Sequence, residues 1–523
     1  MMILIKNHRN RVNAKNLGTR IYDLRKDTRI DLIIVFFLGI FTVLGFAPFY
    51  LFPLPVVTLA LLFYFWRKSE TPLRAGLLGF FFGMGMFSAG VTWLYVSLHD
   101  FGEMPASIAA LVLFFLCAYL SLFASLTGWI LAKLRIVRPV IWSLTVAALW
   151  TLSEWLRGVS LIGFPWLAVG YSQAPASPLA GFAGVTGVYG VSLVLILSAA
   201  IVSFFSEKKF RTWFNTGFLL TIWCIGFGLQ HINWSEPIGE PVTVSLLQGN
   251  IQQDMKWRPE HAINTLAIYD KLMRASSGQL IVTPEIAVPL YRNQLSVDYF
   301  AQLVAYARKN NGDILIGMIE KPNQMDEYYN SVFSFGVSPQ QSYRKHHLVP
   351  FGEFIPLKPF FSWVINVLKI PMSDFSRGRL NQNPMNLVGQ NIALNICYED
   401  VFGEEIISQL PQASLLINVS NDAWFGRSIG PWQHLQMSQM RALETGRYML
   451  RATNTGVTAI INERGVVLKE AEVFTTTVLN GTVQGYTGAT PYVRFGNSLV
   501  LGFSGILLLI SFLLISCGKA KTL

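Results

Sequence analysis

The sequence predicts two parts, a polytopic α-helical membrane domain with eight transmembrane helices and a layered α/β domain. Hydrophobic residues make up 52% of the 523 residues and charged residues only 14%, whereas a soluble protein carries roughly 25% charged residues. The chain contains eight apolar runs, and most of them reach the ~20 residues that a bilayer-spanning helix needs. Between the seventh and eighth runs, strand patterns alternate with helical patterns, which is typical of a layered α/β domain.

The apolar runs define the domain boundaries. The second run is short and broken by proline, so its ends are poorly defined. We predict a basic N-terminal arm over residues 1–30, seven spans within 31–232, the α/β domain over 241–485, the eighth span over 497–516 and a tail over 517–523. The runs lie at about residues 31–48, 51–66, 74–98, 107–132, 139–156, 184–205, 213–231 and 497–516.

The positions of lysine and arginine predict the orientation in the membrane. Basic residues fill the N-terminal arm and follow the second, fourth, sixth and eighth runs. The positive-inside rule therefore places the arm and the tail in the cytoplasm and the α/β domain outside it. The net charge of +11 could suggest nucleic acid, but the basic residues cluster beside apolar runs. That pattern fits a lipid bilayer better, and we predict no nucleic-acid partner.

The loop after the fifth span, residues 161–183, is apolar and aromatic but is interrupted by glycine and proline. It contains the run Gly163-Phe164-Pro165-Trp166. Two interpretations are open: an aromatic belt at the membrane interface, or part of an entrance that faces lipid.

The α/β domain shows period-two strands with helices between them. The predicted helices are Pro259–Ala275, Val297–Asn310 and His434–Arg447. The predicted strands are Val242–Leu247, Leu280–Thr283, Asp313–Ile319, Tyr329–Phe335, Asn391–Cys397, Ser414–Val419 and short strands near Val457–Ile461.

Cys397 closes one of these strands and is followed by a cluster of acidic residues typical of a helix start. The other three cysteines lie in or beside apolar runs, so no disulfide framework is expected. A thiol at such a strand-to-helix elbow meets backbone N–H groups, and we expect the pKa of Cys397 to be lowered there.

Glu285 and Lys345 also follow predicted strands. Acyl transfer through a thiol requires a base for the proton, a positive group for the oxyanion and the sulfur itself. A carboxylate, an ammonium and a thiol supply that set, although spacing along the chain alone does not bring them together.

These residues resemble a known pattern. Pro284-Glu285, the Lys345 segment and Ile396-Cys397-Tyr398-Glu399 are similar to the Glu-Lys-Cys triad of the nitrilase (carbon–nitrogen hydrolase) superfamily. Further motifs along nearly the whole chain resemble the apolipoprotein N-acyltransferase family. They are Gln248-Gly249-Asn250-Ile251, Lys256-Trp257, Tyr329-Asn330-Ser331, His347-Leu348-Val349-Pro350-Phe351-Gly352-Glu353, Asn418-Val419-Ser420-Asn421-Asp422-Ala423-Trp424-Phe425 and the Gly163-Phe164-Pro165-Trp166 loop.

The resemblance implies a fold and a location. It implies a nitrilase-like αββα sandwich for the α/β domain, held in the periplasm by a multi-pass protein of the bacterial inner membrane. It also implies an enzyme that moves a fatty acyl chain from a phospholipid to the α-amino group of an S-diacylglyceryl cysteine, the last step of lipoprotein maturation. The partners would be a phospholipid donor, a diacylglyceryl apolipoprotein acceptor and the bilayer, with neither cofactor nor metal.

The resemblance also implies residue roles. Glu285 would deprotonate Cys397, and Lys345, with the backbone N–H of Tyr398, would stabilise the oxyanion of a ping-pong thioester mechanism. Glu353 and Glu399 would orient Lys345 or tune the base, the alternative being structural ion pairs. Further matching positions would support the site or bind substrate: Trp257, Asn330, Trp166 and Trp424.

The segment from Phe354 to Phe375 carries apolar residues at near-helical spacing. In a domain that faces water, this spacing favours a lid or interfacial helix over core packing. Its proposed lid residues are Trp363, Leu368 and Ile370.

Two other functions remain open at this point. One is a membrane-tethered amidase that hydrolyses small amides with the same triad. The other is a lipid transporter or scaffold with an inactive outer domain. A transporter favours charged residues in mid-span, and the predicted spans are nearly free of them.

Overall fold

The computed structural model describes residues 29–160, 163–205, 212–256, 258–322, 327–355 and 374–520. Within these ranges, a bundle of apolar helices packs against an α/β domain with two sheets.

Each predicted apolar run coincides with a helix. The third run was predicted too long, because its helix ends at Gly90 and is followed by a short helix, Trp93–Val96, and a turn, Ser97–Phe101. By length and apolarity, four helical stretches in the described ranges could cross a membrane: Pro72–Gly90, Ala106–Leu134, Pro178–Val202 and Ser498–Ser516. The apolar helices span residues 29–42, Leu54–Arg67, Pro72–Gly90, Ala106–Leu134, Pro139–Val159, Ala183–Val202, Thr212–Leu229 and Ser498–Ala520.

Small residues let two of these helices approach closely. A Cβ on Gly79 would lie 2.5 Å from the Ala124 carbonyl oxygen, and a Cβ on Gly83 would lie 2.8 Å from the Ser121 Cα. Such backbone-to-backbone contact is how apolar helices gain packing energy without a hydrophobic driving force.

The α/β domain contains two sheets. The first has the strand order β13-β1-β2-β4-β5-β6, with β3 pairing beside β4, and the second has the order β12-β11-β10-β9-β8-β7. The strands are β1 Ser235–Gln248, β2 Leu280–Val282, β3 Val288–Tyr291, β4 Asp313–Glu320, β5 Tyr329–Gly336, β6 Ser342–Arg344, β7 Met385–Leu387, β8 Gln390–Ile396, β9 Leu415–Ser420, β10 Met449–Thr453, β11 Ala459–Ile461, β12 Val467–Glu470 and β13 Thr477–Gly488.

The two sheets face each other across a buried aliphatic core. Leu246 and Leu315 of the first sheet share this core with Leu394 and Ile417 of the second. Helices Pro259–Arg274 and Val297–Lys309 cover the outer face of the first sheet, and helix Gly430–Thr445 covers the second. These four layers form the αββα sandwich that the resemblance implies.

Helix Gly430–Thr445, here called the docking helix, joins the two parts of the molecule. Gln433 Nε2 donates to the Gly90 carbonyl at 3.1 Å, and Gln436 binds the backbone of Ala47 and Ala174 at 2.9 and 3.0 Å. Glu444 Oε1 accepts from the Val188 N–H at 2.7 Å. Buried polar side chains that bind backbone groups of another element fix the relative position of the two.

The contact region between the apolar helices and the docking helix is called the junction here. The loop after the fifth apolar helix lies inside it. Trp166 is 0% exposed and Tyr171 is 2% exposed. Trp166 Nε1 donates to Gln433 Oε1 at 2.7 Å, and Arg157 anchors the loop by donating to the Phe164 and Trp166 carbonyls. The belt interpretation is therefore wrong for these aromatic rings, since an interfacial belt would expose them.

Candidate active site

The ends of three strands bring Glu285, Lys345 and Cys397 to one place. Glu285 follows β2, Lys345 follows β6 and Cys397 follows β8 directly. Lys345 Nζ lies 3.1 Å from Glu285 Oε1 and 2.9 Å from the Glu353 carboxylate. Lys345 is 1% exposed and Glu285 is 6% exposed, so both charges are held in a dry site.

Glu285 is fixed through both of its carboxylate oxygens. Asn330 Nδ2 donates to Glu285 Oε1 at 2.7 Å, and it also donates to Glu353 at 3.1 Å. The Asn421 backbone N–H donates to Glu285 Oε2 at 2.9 Å, and Lys256 Nζ donates to the Glu285 backbone carbonyl at 3.0 Å. The carboxylate is therefore oriented before any substrate arrives.

Cys397 occupies a strained backbone position. Its φ is +54°, in the left-handed region that non-glycine residues rarely adopt, and it begins the 3₁₀ turn Cys397–Val401. The Cys397 carbonyl accepts from Asn418 Nδ2 at 3.1 Å and lies 3.3 Å from His434 Nε2. The cost of the strained turn is offset by these contacts, and the half-buried thiol is held at the end of β8.

The charges in the site shift one another's pKa values. Burial raises the pKa of the Cys397 thiol, and the Glu285 charge raises it further. Burial also raises the pKa of the Glu285 carboxyl, but Lys345 and Lys256 outweigh it and hold that pKa below its usual value. The expectation of a lowered Cys397 pKa is wrong, because burial outweighs the turn that follows; at rest the thiol is neutral and Glu285 is ionised.

Lys345 and Lys256 have different electrostatic surroundings. Burial alone would lower the pKa of Lys345, but the Glu285 and Glu353 carboxylates hold it well above its usual value. Burial lowers the pKa of Lys256 to about 8, since its attraction to Glu285 is weaker than its loss of solvation. Lys345 is therefore the permanent cation of the site.

Glu399 holds the backbone on either side of the site. Its carboxylate accepts from the N–H groups of His346 at 2.6 Å and Ile396 at 2.7 Å, and from the Tyr343 hydroxyl at 3.1 Å. Burial raises the pKa of Glu399 to about 7, while these backbone N–H donors act in the opposite direction. Glu399 thus ties the segment after β6 to the end of β8.

Tyr398 points away from the triad and into the junction. Its hydroxyl donates to the Gly163 carbonyl at 2.9 Å. The ring centroids of Trp166 and Trp93 are 4.8 Å apart. Those of Trp424 and Phe101 are 6.3 Å apart. The structure therefore places these aromatic candidates around the junction. Four predicted residues lie outside the described ranges: Trp257, Trp363, Leu368 and Ile370.

A buried charged network behind Cys397 was missed from the sequence. Arg451 donates to Asp422 at 2.7 Å and to Asp400 at 3.2 Å, and His434 lies 2.9 Å from Asp400 and 3.0 Å from Asp422. Burial and Arg451 lower the pKa of His434, but the two carboxylates raise it to about 8. The only sequence signal was the Asp422 motif, since an arginine inside a strand and a histidine inside a helix look like surface residues.

The site offers acid–base and nucleophilic groups. Among the residues that the structure describes, no group of three or more His, Cys, Asp or Glu side chains could hold a metal ion. A neutral thiol, an ionised carboxylate and a fixed ammonium are suited to covalent acyl transfer.

Comparison with known proteins identifies the family. A family model described as the apolipoprotein N-acyltransferase N-terminal domain matches residues 38–201, and a carbon-nitrogen hydrolase model matches residues 243–492. An apolipoprotein N-acyltransferase of Nitrosomonas europaea is 64% identical over 494 residues, covering 94% of this chain and 99% of the relative. Those of Chromobacterium violaceum and Methylococcus capsulatus are 42% and 40% identical, covering 91% and 89% of this chain and 92% of each relative. This chain therefore belongs to the apolipoprotein N-acyltransferase family, and its α/β domain is a carbon–nitrogen hydrolase domain.

Proposed function

We propose that this chain transfers a fatty acyl chain from a membrane phospholipid to the α-amino group of the S-diacylglyceryl cysteine of apolipoproteins. The observation that carries the proposal is the Lys345–Glu285 ion pair beside the strained Cys397, in an α/β domain docked on apolar helices. A soluble amidase has no need of such helices, whereas an enzyme with two lipid substrates does.

In the first half-reaction, Glu285 takes the proton of the neutral Cys397 thiol as the sulfur attacks the ester carbonyl carbon. The carbonyl oxygen becomes an oxyanion beside the Lys345 ammonium, with the Tyr398 backbone N–H as a second donor. When the tetrahedral intermediate collapses, the C–O bond breaks and the lysophospholipid oxygen receives the proton from Glu285. The product is an acyl thioester on Cys397.

In the second half-reaction, the neutral amine of the lipoprotein attacks the thioester carbonyl. Glu285 accepts a proton from the attacking nitrogen, and Lys345 again stabilises the oxyanion. The C–S bond breaks, Cys397 regains its proton, and an amide is released. The two half-reactions share one site, so the kinetics are ping-pong.

Glu353, Asn330 and Glu399 are positioning residues in this scheme. Glu353 and Asn330 fix the Lys345 ammonium and the Glu285 carboxylate through contacts of 2.7–3.1 Å. Glu399 holds the backbone that carries Lys345 and Cys397. Preorganised charges of this kind act without reorganising during the reaction.

We further propose that all eight apolar helices span the bacterial inner membrane, with the α/β domain in the periplasm. The support is the distribution of lysine and arginine, which falls on one face of the predicted spans. Single cysteines placed at exposed positions of the α/β domain should react with a membrane-impermeant maleimide in intact spheroplasts. Labelling only after lysis would show that the α/β domain lies on the cytoplasmic side and would contradict the proposed orientation.

Intact mass spectrometry tests the covalent mechanism. With phospholipid and no acceptor, the protein should gain one acyl group at Cys397 and release one lysophospholipid per site. A diacylglyceryl peptide with a free amine should clear the thioester, and its N-acetylated form should not. Cys397→Ala should abolish the mass gain, while Cys224→Ala serves as a matched control and should retain it. Acyl transfer by Cys397→Ala would exclude the thioester.

Ammonia release separates the proposal from a membrane-tethered amidase. The amidase is a second candidate because a carbon–nitrogen hydrolase family model matches residues 243–492. We expect turnover of phospholipid and lipopeptide without ammonia from small amides. Rapid ammonia release with no acyl transfer would favour the amidase.

A further inference from the structure

The Cys397 backbone carbonyl is bound by two buried side chains that the proposed mechanism does not use. Asn418 Nδ2 donates to this carbonyl oxygen at 3.1 Å, and His434 Nε2 lies 3.3 Å from it. Asn418 is 0% exposed and His434 is 1% exposed. Two side chains held in the protein interior therefore fix the direction in which the Cys397 carbonyl points.

The neighbours of His434 show that its Nε2 atom carries a proton. Nε2 lies 2.9 Å from Asp400 Oδ1 as well as 3.3 Å from the Cys397 carbonyl oxygen. Both oxygens are acceptors, since the Asp400 carboxylate is ion-paired with Arg451. An unprotonated nitrogen would meet only lone pairs there, so the N–H at Nε2 is shared between the two oxygens. His434 is thus a donor to the Cys397 carbonyl.

The side-chain amide of Asn418 is held in one orientation. Its Nδ2 also donates to Asn395 Oδ1 at 2.6 Å, while its Oδ1 accepts from Arg451 at 2.9 Å. A flipped amide would place its oxygen against two acceptor oxygens and its nitrogen against a guanidinium. Asn418 therefore presents an N–H to the Cys397 carbonyl before any substrate binds.

Fixing this carbonyl also fixes the backbone N–H of Tyr398, because both belong to one peptide group. The peptide bond between Cys397 and Tyr398 is trans, and in a planar trans peptide the C=O and the N–H point in opposite directions. Tyr398 is the second residue of the 3₁₀ turn Cys397–Val401, so its N–H has no acceptor within that turn. Hydrogen bonds to the carbonyl polarise the peptide group and strengthen its N–H as a donor.

We propose that Asn418 and His434 are positioning residues for the oxyanion: by holding the Cys397 carbonyl, they aim the Tyr398 N–H at the oxygen of the reacting carbonyl. This inference rests on the proposed function, which assigns that N–H to the oxyanion together with Lys345. Both side chains act through the peptide group rather than on the substrate. Because an oxyanion forms in the attack on the ester and again in the attack on the thioester, both half-reactions depend on them.

Two reactions of the same thiol separate this role from a general structural one. Formation of the acyl thioester from phospholipid passes through an oxyanion. Alkylation by iodoacetamide does not: the Cys397 sulfur attacks the methylene carbon, the C–I bond breaks, iodide leaves, and Glu285 takes the thiol proton. The ratio of the acylation rate to the alkylation rate therefore reports on the oxyanion donors. Both rates are measured on the full-length protein by peptide mass spectrometry at Cys397.

His434→Asn and His434→Gln form a matched pair. Both remove the imidazole and its charge, but the amide nitrogen of glutamine reaches the position of Nε2, whereas asparagine reaches only that of Nδ1. A lost oxyanion donor costs about 10²–10³ in rate and a misaimed one costs less, so we expect His434→Asn to lower the ratio about 10–100-fold. His434→Gln should restore most of this loss, because it again offers an N–H to the Cys397 carbonyl.

Asn418→Leu tests the second donor against a matched control. It keeps the approximate volume of the side chain and removes its N–H, so the ratio should fall as it does in His434→Asn. Gln409→Leu is the control: Gln409 is 5% exposed, and its Nε2 donates at 3.0 Å to the Leu394 carbonyl, elsewhere on β8. Gln409→Leu should keep the wild-type ratio.

The outcomes are distinct. A wild-type ratio in both His434→Asn and Asn418→Leu would overturn the proposal. Equal losses of acylation and alkylation would also overturn it, since the two side chains would then hold the sulfur and not the N–H. Equal ratios in His434→Asn and His434→Gln would overturn the role of His434. Failure of the proposed function would look different, because the wild-type protein would then be alkylated at Cys397 but form no thioester, and this inference would fall with it.

Discussion

Replacing Glu285 by glutamine removes the proposed base while keeping the shape of the side chain. An amide oxygen in the place of Oε1 can still accept from Asn330, and Lys345 keeps its contact with Glu353 at 2.9 Å. The amide nitrogen then takes the place of Oε2, so the bond from the Asn421 N–H is lost. The variant should therefore fold and retain a charged Lys345. What it loses is the group that we propose accepts the Cys397 proton.

Two opposing effects set the size of the loss. A positioned general base contributes about 10²–10⁴ in rate, which is about 3–5 kcal/mol at 1.36 kcal/mol per decade. The negative charge of Glu285 also raises the pKa of Cys397, so its removal lowers that pKa and increases the thiolate fraction. At neutral pH the lost base dominates, because burial, the larger cause of the raised pKa, is unchanged.

The pH profile separates these two effects. Thioester formation by Glu285→Gln, followed by intact mass with phospholipid alone, should be about 10²–10⁴ slower than wild type at pH 7. The residual rate should rise about tenfold per pH unit up to the thiol pKa, since only pre-formed thiolate reacts. Glu320→Gln is the matched control, as Glu320 binds Arg344, the neighbour of Lys345, at 2.7 Å, and its rate should stay near wild type. Acylation of Glu285→Gln at the wild-type rate at pH 7 would refute the assignment of the base.

Three further changes test the site, the junction and the buried network. Lys345→Met should slow thioester formation about 10²–10³-fold, as expected for a lost oxyanion donor. Lys256→Met removes only a contact to the Glu285 backbone carbonyl. It should slow the same reaction by about tenfold or less. Tyr398→Phe should destabilise the junction by about 1 kcal/mol through loss of the bond to Gly163, seen as a lower apparent Tm; an unchanged Tm would contradict that bond's role. The folded pKa of His434 is raised to about 8, so its charge stabilises the fold fully below the unfolded value of about 6.5, and about 2 kcal/mol is lost as pH rises through 8. His434→Asn should flatten this part of the stability profile measured from pH 6 to 9, and a slope that persists would assign it to another group.

The sequence predicted the elements with strong periodicity and missed those that depend on distant partners. Strand β8 was expected at Asn391–Cys397 and is observed at Gln390–Ile396, because its alternating apolar residues face a core whatever the partner strand is. Strand β13, Thr477–Gly488, was not predicted. Most of its residues are half-buried or exposed, and it is held by pairing with β1, which lies more than 200 residues earlier. Such pairing has no local signature.

The same distinction holds for the site. Glu285, Lys345 and Cys397 were singled out because motifs and strand ends coincide at those positions. The neutral state of the Cys397 thiol could not be read from the sequence, since it depends on how deeply the fold buries the sulfur and how close it brings Glu285. Lys256 was likewise noted only as part of a motif, and its contact with the Glu285 carbonyl arises from tertiary packing.

The docking helix holds the two parts of the molecule in a fixed relative position, and lipid substrates require such a fixed position. Lifting an acyl chain out of the bilayer costs about 0.8 kcal/mol per methylene, so raising the reacting ester by ten methylenes costs about 8 kcal/mol and would cancel much of the gain from the triad. Gln433 and Glu444 bind backbone groups of the apolar helices on one side of the docking helix, and His434 reaches the Cys397 carbonyl on the other. One helix thus sets the position of Cys397, the proposed nucleophile, relative to the apolar helices. The polar residues buried in it hold that position in a way that apolar packing alone, which tolerates sliding, does not.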